Sequence, residues 1–308
     1  MMENKFMWKK IGRISKPLQN SFWTKSHCML PTALKINDNI FRVFYSSRNK
    51  DNQSFITYTD IEIKEKVKIL RHAKKPVLSP GNLGCFDDNG VTPSSVIRVK
   101  KKILLYYVGW KPRSTTRYSL MGGLAISNDN GKSFSRYSKA SIFKNTDNEP
   151  YQIMTAPYVL RIKNKWMLWY VSCEEWKNPD YPIYNIKYAT SSNGLDWIQT
   201  GTVCIKLKKN ERAVARPTVI YKNKIFYMWY CKENKVGTYN IGFATSNDGI
   251  KWKRNDSNAG LSKSKSGWDS KMVAYPNVIL HKRKYYMFFN GNAYGKNGFG
   301  LAVSKEFN

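Results

Sequence analysis

Apolar and polar residues alternate in short runs along the whole chain, and the runs repeat. A proline, a few apolar residues, a short basic or polar turn and an aromatic run occur together five times. The copies are Pro31-TALKINDNIFRVFYSSR, Pro93-SSVIRVKKKILLYYVGW, Pro157-YVLRIKNKWMLWYVS, Pro217-TVIYKNKIFYMWYCK and Pro276-NVILHKRKYYMFFNGN. Their prolines stand 59 to 64 residues apart. Each phrase predicts a β-hairpin, with one strand beginning after the proline and an aromatic strand returning. A third strand follows in every unit: Phe55-ITYTDIEI, Gly123-LAISNDNGKSF, Ile186-KYATSSNGLDW, Ile241-GFATSNDGIKW and Phe299-GLAVSKEF. Three of these run into an Asn/Asp-Gly turn closed by Phe134, Trp197 or Trp252, where glycine supplies the positive φ of a tight turn.

An outer fourth strand completes units one to four, but unit five ends after its third strand. The N-terminus offers the missing piece. Phe6-MWKKIGRI matches Phe134-SRYSKASIF and Trp197-IQTGTVCI in its aromatic start and later isoleucine. Residues 6–14 are therefore expected to pair beside residues 299–303. The predicted fold is all-β: a five-bladed β-propeller of four-stranded blades, one domain over residues 1–308, with the N-terminal strand closing the last blade.

Charge adds a question rather than an answer. Lys and Arg number 52 against 21 Asp and Glu, a formal net charge of +31. An anionic partner is one explanation: nucleic acid, a membrane surface, or an acidic or phosphorylated sugar. The lysines are spread over turns and form no basic arm or helix, so the total reads as Lys-rich composition. Aromatic residues make up 14% of the chain, too many for a disordered basic tail. No secretory signal is recognisable in MMENKFMWKK, and the apolar runs are far shorter than the roughly 20 residues of a membrane span. The expectation is a cytoplasmic, monomeric protein without a membrane span. Cys28, Cys85, Cys173, Cys204 and Cys231 lack CxxC spacing, and His27, His72 and His281 are scattered. Neither a disulfide scaffold nor a Cys/His metal site is expected, and no cofactor is implied.

The spacing Ser127-x-Asp129-x-Gly131-x-x-Phe134 resembles the Asp-box turn of sialidase-like propellers. The whole repeat resembles the five-bladed glycosidase superfamily: arabinanases and xylosidases of glycoside hydrolase family 43, invertases and levansucrases, and mannoside phosphorylases. That resemblance implies a site at one end of the central channel, lined in arabinanase-type enzymes by three carboxylates. It does not carry over residue by residue. Leu30, Thr92, Arg216 and Tyr275 precede four of the prolines, and Thr155-Ala156-Pro157 has threonine where the family's acid stands.

Inner strands start, and second strands end, at the implied mouth. Near it in the chain stand Asp87, Asp88, Glu149, Glu174, Glu175, Glu211 and Asp269. Asp88, Glu175 and Asp269 are the candidate catalytic carboxylates. Asp88 would be the base, and Glu175, beside Trp176, the acid, because an apolar neighbour raises a carboxyl pKa. The candidate substrate-binding residues are His27, Arg48, Trp110, Glu174, Arg212, Arg216, Tyr275, Asn290, Asn292 and Tyr294. Arginine forks suit carboxylates and phosphates, while aromatic faces and amides suit sugar rings. The function expected is a carbohydrate-active enzyme working on a glycosidic bond by hydrolysis, phosphorolysis or transfer. Its substrate would be an anionic or activated sugar, such as a sugar phosphate or nucleotide sugar, used in surface polysaccharide metabolism. The alternative is a non-catalytic carbohydrate-binding or scaffold propeller. Nucleic-acid binding has only the net charge behind it.

Overall fold

The computed structural model describes residues 6–234 and 238–305; the end of the fifth unit's third-strand phrase, 306–307, lies outside the described residues. Each repeat forms a four-stranded antiparallel blade. β1 (Lys9–Ser15) stands apart in sequence from its blade. Blade one is β2 (Ser26–Lys35), β3 (Ile40–Arg48), β4 (Ser54–Ile63) and β5 (Val67–His72). Blade two is β6 (Val91–Val99), β7 (Lys102–Pro112), β8 (Tyr118–Ser127) and the short β9 (Ser135–Arg136). Blade three is β10 (Ile153–Ile162), β11 (Lys165–Trp176), β12 (Pro182–Ser191) and β13 (Ile198–Ile205). Blade four is β14 (Glu211–Lys222), β15 (Ile225–Asn234), β16 (Tyr239–Ser246) and β17 (Lys253–Arg254). Blade five is β18 (Ala274–His281), β19 (Lys284–Asn290) and β20 (Phe299–Lys305), with β1 as its outer strand.

The ring closes as the sequence predicts. β1 pairs antiparallel with β20, from Lys9 opposite Val303 to Ser15 opposite Phe299. Phe6 anchors this strand. Its ring lies between blades four and five, 4.8 Å from Trp229 and 5.3 Å from Tyr285, and is buried. Burying one such ring contributes about 1.5–3 kcal/mol. The other cores also lie between neighbouring blades, where the aromatic second strands meet the next blade.

The inner strands begin earlier than the sequence suggests, and their prolines lie inside them. Proline cannot donate to a ladder, so each sits at an irregularity. Register shifts fall between Met29 and Thr32, Pro93 and Ser95, Thr155 and Tyr158, Ala215 and Thr218, and Ala274 and Asn277. In four blades the residue before the proline is left-handed: Leu30 at φ 52°, Ala156 at 48°, Arg216 at 52° and Tyr275 at 55°. That region costs a non-glycine residue about 1–2 kcal/mol. The gain is direction, because these residues line the central cavity.

The Ser/Asp-Gly turns knit blades together. Ser127 Oγ accepts from Gly131 N at 2.8 Å, and Ser246 Oγ from Gly249 N at 2.9 Å. Their carbonyls then accept from the preceding blade. Arg42 Nη1 donates to Asn130 O at 2.7 Å, Tyr106 Oη to Gly194 O at 2.5 Å, and Trp169 Nε1 to Gly249 O at 2.7 Å.

Candidate functional site

A cavity of about 420 Å³ opens on the axis at the end where second strands finish, and all five blades line it. The residues before the five prolines, Leu30, Thr92, Ala156, Arg216 and Tyr275, all contribute. One part of the wall is arginine, with Arg48, Arg117, Arg212 and Arg216. Another is aromatic, with Trp110, Tyr118, Tyr184, Tyr239, Tyr275 and Tyr294. Asp180 is the one carboxylate among the described lining residues. Its side chain is 75% exposed and lies 4.0 Å from Arg117 Nε.

Arg216 is the unusual member. Its side chain is buried, and its Nη atoms donate to neutral oxygens: Ser94 O, Ser94 Oγ at 3.3 Å, Thr32 Oγ1 at 2.8 Å and Pro31 O at 3.4 Å. Its Nε has no partner. Burial pulls its pKa down to about 10, so it stays charged at neutral pH. Arg48 resembles it: its Nε is buried without a partner, and burial lowers its pKa. Among the described residues, neither arginine forms an ion pair. His27 registers the resulting field. Its pKa falls to about 4 through burial, then through the charges of Arg48 and Lys296. Arg212, by contrast, is paired with Glu233 and lies 5.5 Å from the Tyr184 ring.

The tyrosines form a connected wall. Tyr118 Oη and Tyr184 Oη are 3.2 Å apart. Tyr275 lies 5.7 Å from Tyr239 and 6.4 Å from Tyr294, centroid to centroid. Burial raises the pKa of Tyr239 and Tyr275 well above the usual value, so both remain neutral donors.

Of the candidate residues, the structure brings Arg48, Trp110, Arg212, Arg216, Tyr275 and Tyr294 to this cavity. The three candidate catalytic carboxylates are not among its lining residues. Asp88 accepts from Lys111 Nζ and from Gly84 N, both at 2.9 Å. Glu175 is half-buried and pairs with Lys177 at 2.7 Å. Asp269 is buried against Lys10 of the closing strand at 2.5 Å. Their convergence on one opening, expected from strand ends, is not what the coordinates display. Asp88 and Asp269 lie on connections between an outer strand and the next inner one, and Glu175 lies at the end of β11. Glu174 pairs with Lys187 at 3.1 Å, and His27 bonds Ser26 Oγ beside the cavity rather than in its wall.

The two asparagines are held by backbone. Asn290 is buried: its Oδ1 accepts from Leu30 N at 2.8 Å, and its Nδ2 donates to Cys28 O and Gly298 O. It thus fixes a cavity residue from behind. Asn292 Oδ1 accepts from Lys271 N and Met272 N, and its Nδ2 donates to Gly267 O.

Other acids near the mouth in sequence clamp the entries of blades two and three to their second strands, and in blade four the link runs through Arg254 and Asp256. Asp87 accepts from Tyr107 Oη and Arg136 Nε, both at 2.8 Å. Glu149 accepts from Tyr170 Oη, Ser172 Oγ and Gln199 Nε2. Glu211 accepts from Arg254, which shares its charge with Asp256, and Asp256 accepts from Tyr230 Oη at 2.5 Å. Tyr107, Tyr170 and Tyr230 occupy matching places in three second strands, so the motif belongs to the repeat.

Tyr118, Tyr184 and Tyr239 were not anticipated. They stand at or near the starts of β8, β12 and β16, which also begin at the mouth. Aligning third-strand starts across the repeats is the signal that finds them.

No family model matches the chain. Two curated proteins of Mycobacterium tuberculosis do match along nearly their full length. They are uncharacterized protein MT1551 of strain CDC 1551 / Oshkosh and uncharacterized protein Rv1502 of strain ATCC 25618 / H37Rv. Each is 34% identical over 298 residues, covering 96% of this chain and 98% of the relative. The chain belongs to their family. Among solved structures, one described as belonging to a family of mannoside phosphorylases that contains glycoside hydrolases targeting β-1,2 mannosidic linkages in Candida mannan superposes with a TM-score of 0.73. It is 15% identical, over 98% of this chain and 95% of that one. A thermostable family-43 glycoside hydrolase gives a TM-score of 0.69 at 15% identity, over 94% of this chain and 93% of that one. A Bombyx mori family-32 β-fructofuranosidase gives 0.61 at 14%, over 90% of this chain and 61% of that one. These likenesses establish the five-bladed propeller shared with glycosidases. No helix among the described residues is long and apolar enough to cross a membrane.

Proposed function

We propose that this family uses the axial cavity to bind an anionic carbohydrate, a sugar bearing a phosphate or carboxylate, and acts on its glycosidic linkage. The observation that carries this reading is the pair Arg48 and Arg216, each with a buried guanidinium nitrogen lacking a partner and neither in an ion pair. A buried charge without a counter-ion is costly, and a bound anion offsets that cost. The guanidinium fork suits phosphate and carboxylate oxygens. The tyrosines and Trp110 supply flat faces for a sugar ring and hydroxyls for its polar edge. The likeness to mannoside phosphorylases and glycosidases supports the carbohydrate part.

The cavity wall constrains the reaction class. Two-carboxylate hydrolysis needs an acid and a second carboxyl across the scissile bond. Among the described lining residues Asp180 is the one carboxylate, and it is well exposed. Transfer to or from an anionic group, with the anion held by arginine, fits this wall better than hydrolysis. The same observation favours a second reading, binding without turnover.

Calorimetry with sugar 1-phosphates, uronic acids, nucleotide sugars and their uncharged counterparts tests the proposal. Binding of a charged sugar, lost in Arg216→Gln, is the expected result. Equal or stronger binding of the neutral sugar would overturn it. Incubating the protein with glycosides and inorganic phosphate, and following sugar phosphate formation, separates turnover from simple binding.

A further inference from the structure

The five hairpin turns that join first to second strands all lie at the end of the propeller opposite the cavity. Four of them are runs of cations: residues 100–102 are KKK, 163–165 KNK, 222–224 KNK and 282–284 KRK. The first blade's turn adds Lys35, with Asp38 the lone acid in all five turns. Sequence order scatters these residues over the chain, and the fold gathers them into a ring. Blade five's turn meets blade one's, where Lys282 Nζ donates to Asn39 Oδ1 at 2.7 Å. The outer turns on this face carry Glu65, Asp129, Asp196 and Asp248; Asp129 and Asp248 accept from their own turn backbone, Asp196 accepts from Asn193 Nδ2, and Glu65 is flanked by Lys64 and Lys66.

The backbone argues that these cations are not incidental. Lys100, Lys163, Lys224, Lys282 and Arg283 have φ between 47° and 63°. Tight hairpin turns of this hand favour glycine and asparagine at such positions. Here the chain places long cationic side chains there, against local preference. Their side chains are exposed.

We propose that this face is a docking surface for an anionic lipid bilayer. All but one of the turn cations are lysine, a compact and strongly hydrated point charge suited to a diffuse anionic surface. Arginine forks that read base edges are missing from the described turns, apart from Arg283. Apolar side chains interrupt the ring: Ile198 is 68% exposed, Tyr221 41% and Leu280 40%. A head-group layer accommodates such side chains beside lysines, whereas a nucleic-acid backbone gives them nothing to enter. Docked this way, the propeller presents its axial cavity away from the lipid.

The test is co-sedimentation of the full chain with vesicles, either phosphatidylcholine alone or phosphatidylcholine with 30% phosphatidylglycerol, over a salt series. Binding to the anionic vesicles, falling as salt rises, is expected, with little binding to the neutral ones. The triple variant Lys163→Asn, Lys224→Gly, Lys282→Asn places favoured residues at the left-handed positions. It should melt no lower than the parent, yet partition at least about tenfold less. Equal partitioning of the variant, or no preference for anionic over neutral vesicles, overturns the proposal. So does tighter retention of a short DNA duplex than of the anionic vesicles.

Discussion

Arg216 Nη2 donates to Thr32 Oγ1 at 2.8 Å across 184 positions of sequence, so a blade-four side chain rests on blade one. The guanidinium spans the axis while its charge stays without a carboxylate. Holding it there requires neutral oxygens on every side, and Ser94 and Pro31 supply the rest.

Replacing Arg216 by Met is therefore expected to separate function from stability. Removing a buried unpaired charge offsets the loss of hydrogen bonds worth roughly 1 kcal/mol each. The unfolding free energy from urea titration should change by no more than about 1–2 kcal/mol in either direction. Affinity for the charged sugar should fall at least about a hundredfold. Calorimetry and urea titration on the same preparation check both, and retained binding would count against the site.

His27 gives the molecule an acid-side pH dependence. Its folded pKa of about 4 lies below the ordinary value of 6.5, because of burial and then the nearby Arg48 and Lys296 charges. Between those values the unfolded chain takes up a proton that the folded chain refuses, so stability falls as pH drops from about 6.5 to 4. After discounting for partial exposure, the contribution is about 1–2 kcal/mol. His27→Gln should flatten this part of the stability profile, measured by urea unfolding at several pH values. An anion in the cavity should raise the His27 pKa, so binding near pH 5 should consume protons, visible as buffer-dependent heats.

The Lys10–Asp269 pair holds the closing strand to the loop that enters blade five. Asp269→Asn leaves Lys10 without its counter-charge in a mostly buried place and should cost about 2–4 kcal/mol. Lys10→Met combined with Asp269→Asn should recover part of that loss. Thermal unfolding of the two single variants and the double variant measures the coupling.

Trp110 lines the cavity from the end of a second strand and is half-buried. Trp110→Ala should weaken sugar binding about tenfold through lost ring contact, with little change in melting temperature. A melting temperature lowered by more than about 5 °C would instead make the residue part of the blade core.

Most of the architecture was legible because the repeat is carried by hydrophobic periodicity, which tertiary packing reinforces in every blade. The closing strand could be found because blade five lacked a partner that the N-terminus resembled. The site was legible only in part, and the division follows geometry. Arg216 and Tyr275 directly precede the prolines, so the bulge delivers them to the axis. Asp88 and Asp269 lie on connections between an outer strand and the next inner one. Such a connection sweeps across the whole radius of a blade, and chain distance from a strand start says little about radial position. The acids there face basic or hydroxyl partners in their own blade, which sequence spacing alone does not reveal. Tyr118, Tyr184 and Tyr239 stand at or near third-strand starts, where no proline marks the approach to the axis.

The pairing of Lys9–Ser15 with Phe299–Lys305 also sets the order in which the molecule can be assembled. A chain emerges from the ribosome N-terminus first. β1 is therefore made well before β20 and must wait for it, and Phe6 has no slot until blades four and five have both formed. Blades one to four can gather locally during translation, from contacts within about 60 residues. Closure is an event of high contact order, and until it happens blade five offers an open edge to any passing strand. An N-terminal fusion partner that folds quickly would sit beside the segment that must travel furthest.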